Sequence, residues 1–222
     1  MINAPDLIRI LFVMVLCTVA LMITERSLGA LFSTYAVQSA LLAAIALLLF
    51  FETAEVPLLL MAILTAGSKV VAMPFMLRRV QKDIYTRRDL DFSYLSPISS
   101  IIISAGLIFV VYRSFSDFLV DLSPDHQLFL GAVIGISLVL MGMLIIFSRR
   151  QMVTKIVGYL TMENGVLLFS MFIAEMPFII EVLIILDLII LTLLSTILVF
   201  GIDSSMKEFH RKLDPFSFWR KE

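Results

Sequence analysis

The sequence predicts an all-α integral membrane protein with about seven transmembrane helices. Of its 222 residues, 60% are hydrophobic and only 16% are charged, whereas a typical soluble domain is about 25% charged. The apolar residues form long continuous runs and not the alternating segments of about ten residues that build a β-barrel, so helices are favoured. A spanning helix needs about 20 apolar residues, and runs near that length occupy residues 7–23, 28–51, 56–77, 95–112, 127–147, 156–173 and 178–200.

Polar turns and prolines separate these runs. Only the tight polar turn at residues 24–27 divides the first run from the second. Pro57, Pro97 and Pro177 stand at the starts of the third, fourth and seventh runs, where a missing N–H costs little because the first helical turn has no internal acceptor for it. The N-terminus lacks the basic region and the small-residue cleavage site of a signal peptide, so the first run is predicted to be retained.

The basic residues predict the orientation of the helices. If successive loops alternate between the two sides, nearly all of the 17 lysines and arginines fall on one side. Cytoplasmic loops carry this excess, so the N-terminus is predicted outside and the C-terminus in the cytoplasm, which requires an odd number of helices. Arg149, Arg150 and Lys155 are interpreted as cytoplasmic anchors of the fifth and sixth runs.

The chain divides into three predicted regions. Residues 1–126 form an N-terminal four-helix membrane region with a charged cytoplasmic loop at 78–93, and residues 127–202 form a three-helix region. Residues 203–222 form a cytoplasmic tail in which aromatic and basic residues alternate irregularly. Such a tail suits an interfacial segment on an anionic leaflet or a docking segment for a partner, and a solvated chain end accounts for it equally well.

Residues that could hold a redox centre or a metal are scarce. The chain has one cysteine, Cys17, and its two histidines, His126 and His210, are far apart in the sequence. One thiol can neither ligate an iron–sulfur cluster nor form an internal disulfide. We therefore expect this chain to bind no cofactor.

Ionisable residues lie inside three of the predicted helices. A charge at the centre of a membrane helix costs about 2.5–3.5 kcal/mol on insertion scales. At 1.5 Å per residue, Lys69 and Glu163 lie about 12 Å from the cytoplasmic helix ends and Asp187 about 20 Å, in the middle of a core about 30 Å thick. Because they belong to different helices, the three can form one polar layer. Glu181 lies about one turn from the outer end of its run and reaches interfacial water.

A proton-handling role explains these charges. Desolvation favours the neutral form of a carboxyl group and a nearby ammonium favours its charged form, so movement of Lys69 relative to Glu163 would load or release a proton. Pumps and transporters use such chains of acids and lysines. Pro74 leaves the carbonyl of Val70 without its donor and so loosens the helix beside the lysine. The alternative is that Lys69 pairs with Glu163 or Asp187 only to fix helix packing.

Other polar residues in the runs are assigned to packing. Gln38, for example, is predicted to make a hydrogen bond between helices.

Residues 127–201 resemble the NuoK-type subunit of respiratory complex I and its relative in multi-subunit sodium/proton antiporters. The resemblance rests on three helices, on the pair Arg149 and Arg150 closing the first, on Glu163 within the segment GYLTMEN in the second, and on an acid in the third. That family carries one buried glutamate in its second helix and another in its third. Glu163 matches the first. Asp187 fits the second by its distance from the helix end, and Glu181 fits it by residue type.

The four additional helices and the total length resemble the hydrogenase-4 component E family, a membrane subunit of formate hydrogenlyase-type and related group 4 hydrogenase complexes. The resemblance implies a non-catalytic, non-redox subunit in a bacterial or archaeal cytoplasmic membrane. NiFe and iron–sulfur centres would lie on partner subunits, which would include antiporter-like and quinone-site-like membrane subunits and a cytoplasmic hydrogenase arm. Glu163 and Asp187 would relay protons or sodium ions, and Glu181 is a weaker candidate for the same role. The inclusion of Lys69 rests on its depth alone.

Two alternative functions remain open at this point. The chain could be a subunit of a multi-subunit cation/proton antiporter, since the same buried acids serve both. It could instead be a structural membrane scaffold that anchors a soluble redox arm through the loop at 78–93 and the tail.

Overall fold

The computed structural model describes residues 4–83, 96–122, 126–149 and 152–173, with single positions and short stretches between 182 and 196. Among these residues there is no strand, as the all-α prediction requires. The described elements are α1 (Ala4–Thr24), α2 (Leu28–Thr53), α3 (Val56–Leu64), a π-helix (Thr65–Ala72), α4 (Met73–Asp83), α5 (Pro97–Leu122), α6 (His126–Ser148) and α7 (Met152–Ile173).

Five helices in the described part of the chain are long and apolar enough to cross a membrane. They are Pro5–Thr24, Leu28–Thr53, Val56–Arg79, Ile98–Phe115 and Leu128–Ser148, and they coincide with the first five predicted runs. The third of them combines α3, the π-helix and the first part of α4. The sixth predicted run forms α7, which is not one of the five. Most of the seventh run, the residues beyond 83 of the predicted loop, and the whole predicted tail lie outside the described residues.

Helix α4 continues into the predicted cytoplasmic loop. That loop is predicted at residues 78–93, and residues 78–83 are helical as far as Asp83; the cytoplasmic position of the loop stays a prediction. Arginine, lysine and glutamine are good helix formers, so the end of the apolar run at Leu77 does not end the helix. Charge marks where a helix leaves the apolar layer, and helix propensity decides where the helix stops.

The predicted turn between the first two runs is confirmed. α1 ends at Thr24 and α2 begins at Leu28. The Ser27 hydroxyl accepts a hydrogen bond of 3.2 Å from the Ala30 N–H and so caps α2, because it satisfies one of the N–H groups that a helix start leaves without a partner. α5 begins in the same way, with Ser96 accepting from the Ser99 N–H at 3.2 Å.

Arg149 has a role that the sequence interpretation missed. It is predicted as a cytoplasmic anchor. Its side chain is buried, and its Nη2 donates to the carbonyls of Ile23 at 2.7 Å and Glu25 at 2.9 Å. Burial lowers the pKa of the Arg149 guanidinium below its usual value, and the nearby charge of Glu25 offsets part of that decrease. The arginine thus satisfies carbonyls at the C-terminal end of α1, where a cation is also favoured by the helix dipole, and it ties the end of α6 to α1. Arg150 lies outside the described residues.

The end of α2 carries a removable strain. Ala54 adopts the left-handed conformation, with φ of 57°, and its N–H donates to the Phe50 carbonyl at 2.8 Å. This conformation costs an L-residue about 1–2 kcal/mol and costs glycine nothing.

We expect Ala54→Gly to stabilise the protein by about 0.5–1 kcal/mol, measured as a higher melting temperature in detergent. The same change at Ala40, an exposed position inside α2, should lower that temperature; a decrease for Ala54→Gly would contradict the assignment.

Glycines bring α6 and α7 into backbone contact. A Cβ added to Gly142 of α6 would lie 2.5 Å from the Met162 nitrogen and 2.8 Å from the Gly158 oxygen. A Cβ added to Gly165 of α7 would lie 2.6 Å from the Val139 nitrogen. Small residues allow such close approach between membrane helices. One side of α7 is therefore locked against α6, which fixes the rotation of α7 about its axis.

The remaining contacts arrange the other helices around this pair. α1 packs against α2 and α6, and α2 packs against α3, the π-helix and α7. α5 contacts α6 and α1, and most of the apolar side chains described between residues 98 and 115 are exposed. Contacts between α1 and α6 and between α2 and α7 join the two predicted membrane regions, whose boundary near residue 126 stays a prediction.

Candidate functional site

A π-helix presents the buried lysine. In the segment Thr65–Ala72 the turns are wider than in an α-helix, and at its end the Met73 N–H donates to the carbonyl of Ser68, five residues earlier. Pro74 follows directly; it has no N–H, and in a regular α-helix its ring would press on the carbonyl four residues earlier. A wider turn relieves that contact, and π-turns occur mostly as such local insertions. The loosening predicted around Lys69 therefore takes the form of a π-helix.

Lys69 brings two carboxyl groups together. Its Nζ lies 3.0 Å from Glu163 Oε1 on α7 and 4.0 Å from Asp187 Oδ1. The side chains of Lys69 and Glu163 are each 2% exposed and that of Asp187 is 16% exposed. The polar layer predicted from helix depth is thus present for these three residues, which we call the ion cluster. Glu181 lies outside the described residues, so its predicted role stays a prediction.

Ser68 is a fourth contact of this cluster. Its hydroxyl lies 2.8 Å from Asp187 Oδ2 and 2.9 Å from the Leu64 carbonyl. Because a serine hydroxyl has one hydrogen, it donates fully to one of these acceptors at a time. Ser68 and Lys69 are consecutive on the π-helix, so one turn of that helix supplies both polar contacts to Asp187. The sequence interpretation did not assign this contact.

The charges of the ion cluster do not balance. One ammonium faces two carboxyl groups, and of the described basic residues only Lys69 lies within ion-pair distance of either. Glu163 and Asp187 also act on each other electrostatically. An uncompensated charge in a low-dielectric interior is costly, and a proton on either carboxyl group would make the cluster neutral. Chemically, the arrangement has room for one proton on either carboxyl group.

A second polar group adjoins the first between α2 and α7. The Asn164 Nδ2 donates to Gln38 Oε1 at 3.2 Å and to Ser39 Oγ at 3.1 Å, and all three residues are fully buried. The predicted interhelical hydrogen bond of Gln38 is confirmed. Tyr35, also fully buried, lies one turn before Ser39 on α2, and its hydroxyl is close to the Ser39 side chain.

We call Tyr35, Gln38, Ser39 and Asn164 the amide cluster. The sequence interpretation missed Tyr35 and the pairing of Asn164. A signal was available, because residues three and four apart share one helix face, and Tyr35, Gln38 and Ser39 have that spacing.

Metal-binding side chains do not gather in the described ranges. No group of three or more His, Cys, Asp or Glu residues there could hold a metal ion, and Cys17 is exposed on α1. The expectation that this chain binds no cofactor stays a prediction.

Comparisons of the chain with protein-family models, with curated proteins and with solved structures found no match. The resemblance to the hydrogenase-4 component E family and to the NuoK-type subunit therefore stays a prediction.

Proposed function

We propose that this chain is a non-redox membrane subunit of an energy-converting hydrogenase or complex I-like assembly in a bacterial or archaeal cytoplasmic membrane. In this proposal it has seven transmembrane helices, an outer N-terminus and a cytoplasmic C-terminus, and it contributes to proton translocation. The observation that carries the proposal is the sharing of one buried ammonium by two carboxyl groups. The membrane subunits and the hydrogenase arm named from the resemblance are its proposed partners.

The stoichiometry of the ion cluster favours proton handling over packing. A salt bridge that only fixes two helices needs one acid and one base, and even that pair often stabilises no more than apolar residues would. Asp187 adds a second acid to a base that Glu163 already approaches to 3.0 Å. The salt bridge between the π-helix and α7 does not require this second acid, whereas acids near a lysine are a common device in proton pathways.

The geometry supplies a way to load and release the proton. When the ammonium lies against one carboxylate, it stabilises the charge of that group, and the other carboxyl group takes the proton. Lys69 lies 3.0 Å from Glu163 Oε1 and 4.0 Å from Asp187 Oδ1, so a small displacement of its side chain reverses the order. Protonation would thus pass between α7 and the segment of Asp187 as the lysine moves.

One observation favours a second function, that of a structural scaffold. The Lys69–Glu163 pair is close and almost completely buried, and it joins the π-helix to α7 as a purely structural tie would. An antiporter subunit is not distinguished from the main proposal by the ion cluster, since the same groups serve both. The subunits that copurify with the chain separate those two assemblies.

We expect Glu163→Gln to leave the assembly intact and to lower coupled proton translocation by about 100-fold or more, the usual size of a lost proton-transfer group. Glutamine keeps the shape of the side chain and its hydrogen bonding but cannot carry an exchangeable proton. The measurement is proton uptake into vesicles that contain the purified native complex, with electron transfer recorded in parallel.

Glu163→Asp is the matched control for this test, because it keeps a carboxyl group and should retain part of the translocation. Wild-type assembly together with wild-type translocation in Glu163→Gln would refute the proton-relay proposal. Loss of assembly in Glu163→Gln but not in Glu163→Asp would favour the scaffold.

A further inference from the structure

Three polar atoms of the amide cluster have no hydrogen-bond partner among the described residues. They are the Tyr35 hydroxyl, Gln38 Nε2 and Asn164 Oδ1, and each belongs to a side chain that is fully buried. The Ser39 side chain lies close to the Tyr35 hydroxyl, but the two do not form a hydrogen bond. A buried polar atom left without a partner is costly, because it has lost its hydrogen bonds to water and gained none in return. Three such atoms at one helix interface therefore indicate a polar ligand that satisfies them.

The chemistry of the three atoms selects the ligand. Gln38 Nε2 can only donate, Asn164 Oδ1 can only accept, and the Tyr35 hydroxyl can do both. A metal cation would be repelled by the amide hydrogens of Gln38, and an apolar molecule would leave all three atoms unpaired. Water donates and accepts, and buried waters make about three hydrogen bonds each to groups of this kind.

The amide cluster is continuous with the ion cluster. Asn164 follows Glu163 directly on α7 and donates a hydrogen bond of 3.1 Å to Ser39, which lies one turn from Tyr35 on α2. Glu163 Oε2 is itself buried without a hydrogen-bond donor among the described residues. Tyr35 lies two turns into α2 from Leu28, about 10 Å along the helix, and is the member of the cluster nearest to that end.

We propose that Tyr35, Gln38 and Asn164 bind internal water between α2 and α7, and that this water, with the Tyr35 hydroxyl, carries protons to and from Glu163. The inference that water binds here depends only on the buried atoms without hydrogen-bond partners. The use of this water as a proton path rests on the proposed function of the ion cluster. Tyr35 is then a relay residue, because its hydroxyl accepts a proton on one side and gives one up on the other.

X-ray hydroxyl-radical footprinting of the full chain in lipid nanodiscs tests the water site. Radiolysis of bound water oxidises the side chains beside it even where bulk solvent has no access. Phe32 is the matched control, since it is an aromatic residue of α2, also fully buried, within the hydrophobic core. We expect Tyr35 to be oxidised at least several-fold faster than Phe32, with oxygen taken up from ¹⁸O-labelled water. Oxidation of Tyr35 as slow as that of Phe32 would overturn the water site.

A second variant and a second measurement test the proton path. Tyr35→Phe keeps the ring and removes only the hydroxyl, so we expect an assembled complex whose coupled proton translocation is at least several-fold slower. Unchanged translocation in Tyr35→Phe would overturn the path. The two proposals fail separately, because failure of Glu163→Gln to slow translocation refutes the relay at Glu163 while the oxidation of Tyr35 still reports the water.

Discussion

Lys69→Met is expected to destabilise the protein by about 3–5 kcal/mol, the usual effect of removing one partner of a buried ion pair. Methionine fills a similar volume, but it leaves Glu163 and Asp187 facing each other without the ammonium that lies 3.0 Å and 4.0 Å from them. Both carboxyl groups must then hold protons or draw in water. The measurement is the free energy of unfolding in mixed micelles as denaturing detergent is added.

The double variant Lys69→Met/Glu163→Gln separates the charge effect from packing. It removes the base and one acid together, so we expect it to regain a large part of the lost stability. Lys155→Met is the matched control, because Lys155 lies half-buried near the start of α7 and should change the stability by less than about 0.5 kcal/mol. A Lys69→Met protein as stable as the control variant would contradict the buried ion cluster.

Much of the fold follows from one-dimensional patterns. Continuous apolar runs predict the five helices that are long enough to span a membrane, because run length and helix rise are linked directly. The capping serine before α2 and the proline that opens α5 are local signals with local consequences. The extent of α4 was misjudged because charged residues mark solvent access and do not by themselves end a helix.

The ion cluster was predicted from depth, which the sequence supplies. Counting residues from the helix ends places Lys69, Glu163 and Asp187 in the middle part of the membrane. Depth does not say towards which neighbouring helix a side chain points. That direction depends on the rotation of the helix about its axis, and the sequence does not predict the rotation of α7 because most sides of α7 are buried. The contacts of Tyr35, Asn164 and Arg149 all depend on rotation, and so the sequence interpretation missed them.

The glycines of α6 and α7 supply this missing coordinate. A Cβ added to Gly165 would lie 2.8 Å from the Gly135 oxygen, and Gly142 and Gly158 face each other across the interface. With these positions in contact, Glu163 and Asn164 lie on the other side of α7. There Asn164 makes its hydrogen bonds to α2, and Glu163 forms its ion pair with Lys69. The position of the ion cluster thus depends on residues that carry no charge.

Gly142→Val is expected to destabilise the protein by about 3 kcal/mol, at the upper end of the range for overpacking. The first added carbon would already lie 2.5 Å from the Met162 nitrogen and 2.8 Å from the Gly158 oxygen. These are backbone atoms and cannot rotate away, so α7 must shift as a unit and carry Glu163 with it. We therefore expect a loss of coupled proton translocation together with the lower unfolding free energy.

Gly106→Val is the matched control for this substitution. Gly106 lies in the interior of α5, and an added Cβ there meets nothing within 4 Å, so both variants share the same change in helix propensity and differ only in packing. The difference between their unfolding free energies measures the contact between α6 and α7 itself. Equal stabilities would contradict the glycine contact and, with it, the rotation of α7 that brings Glu163 to Lys69.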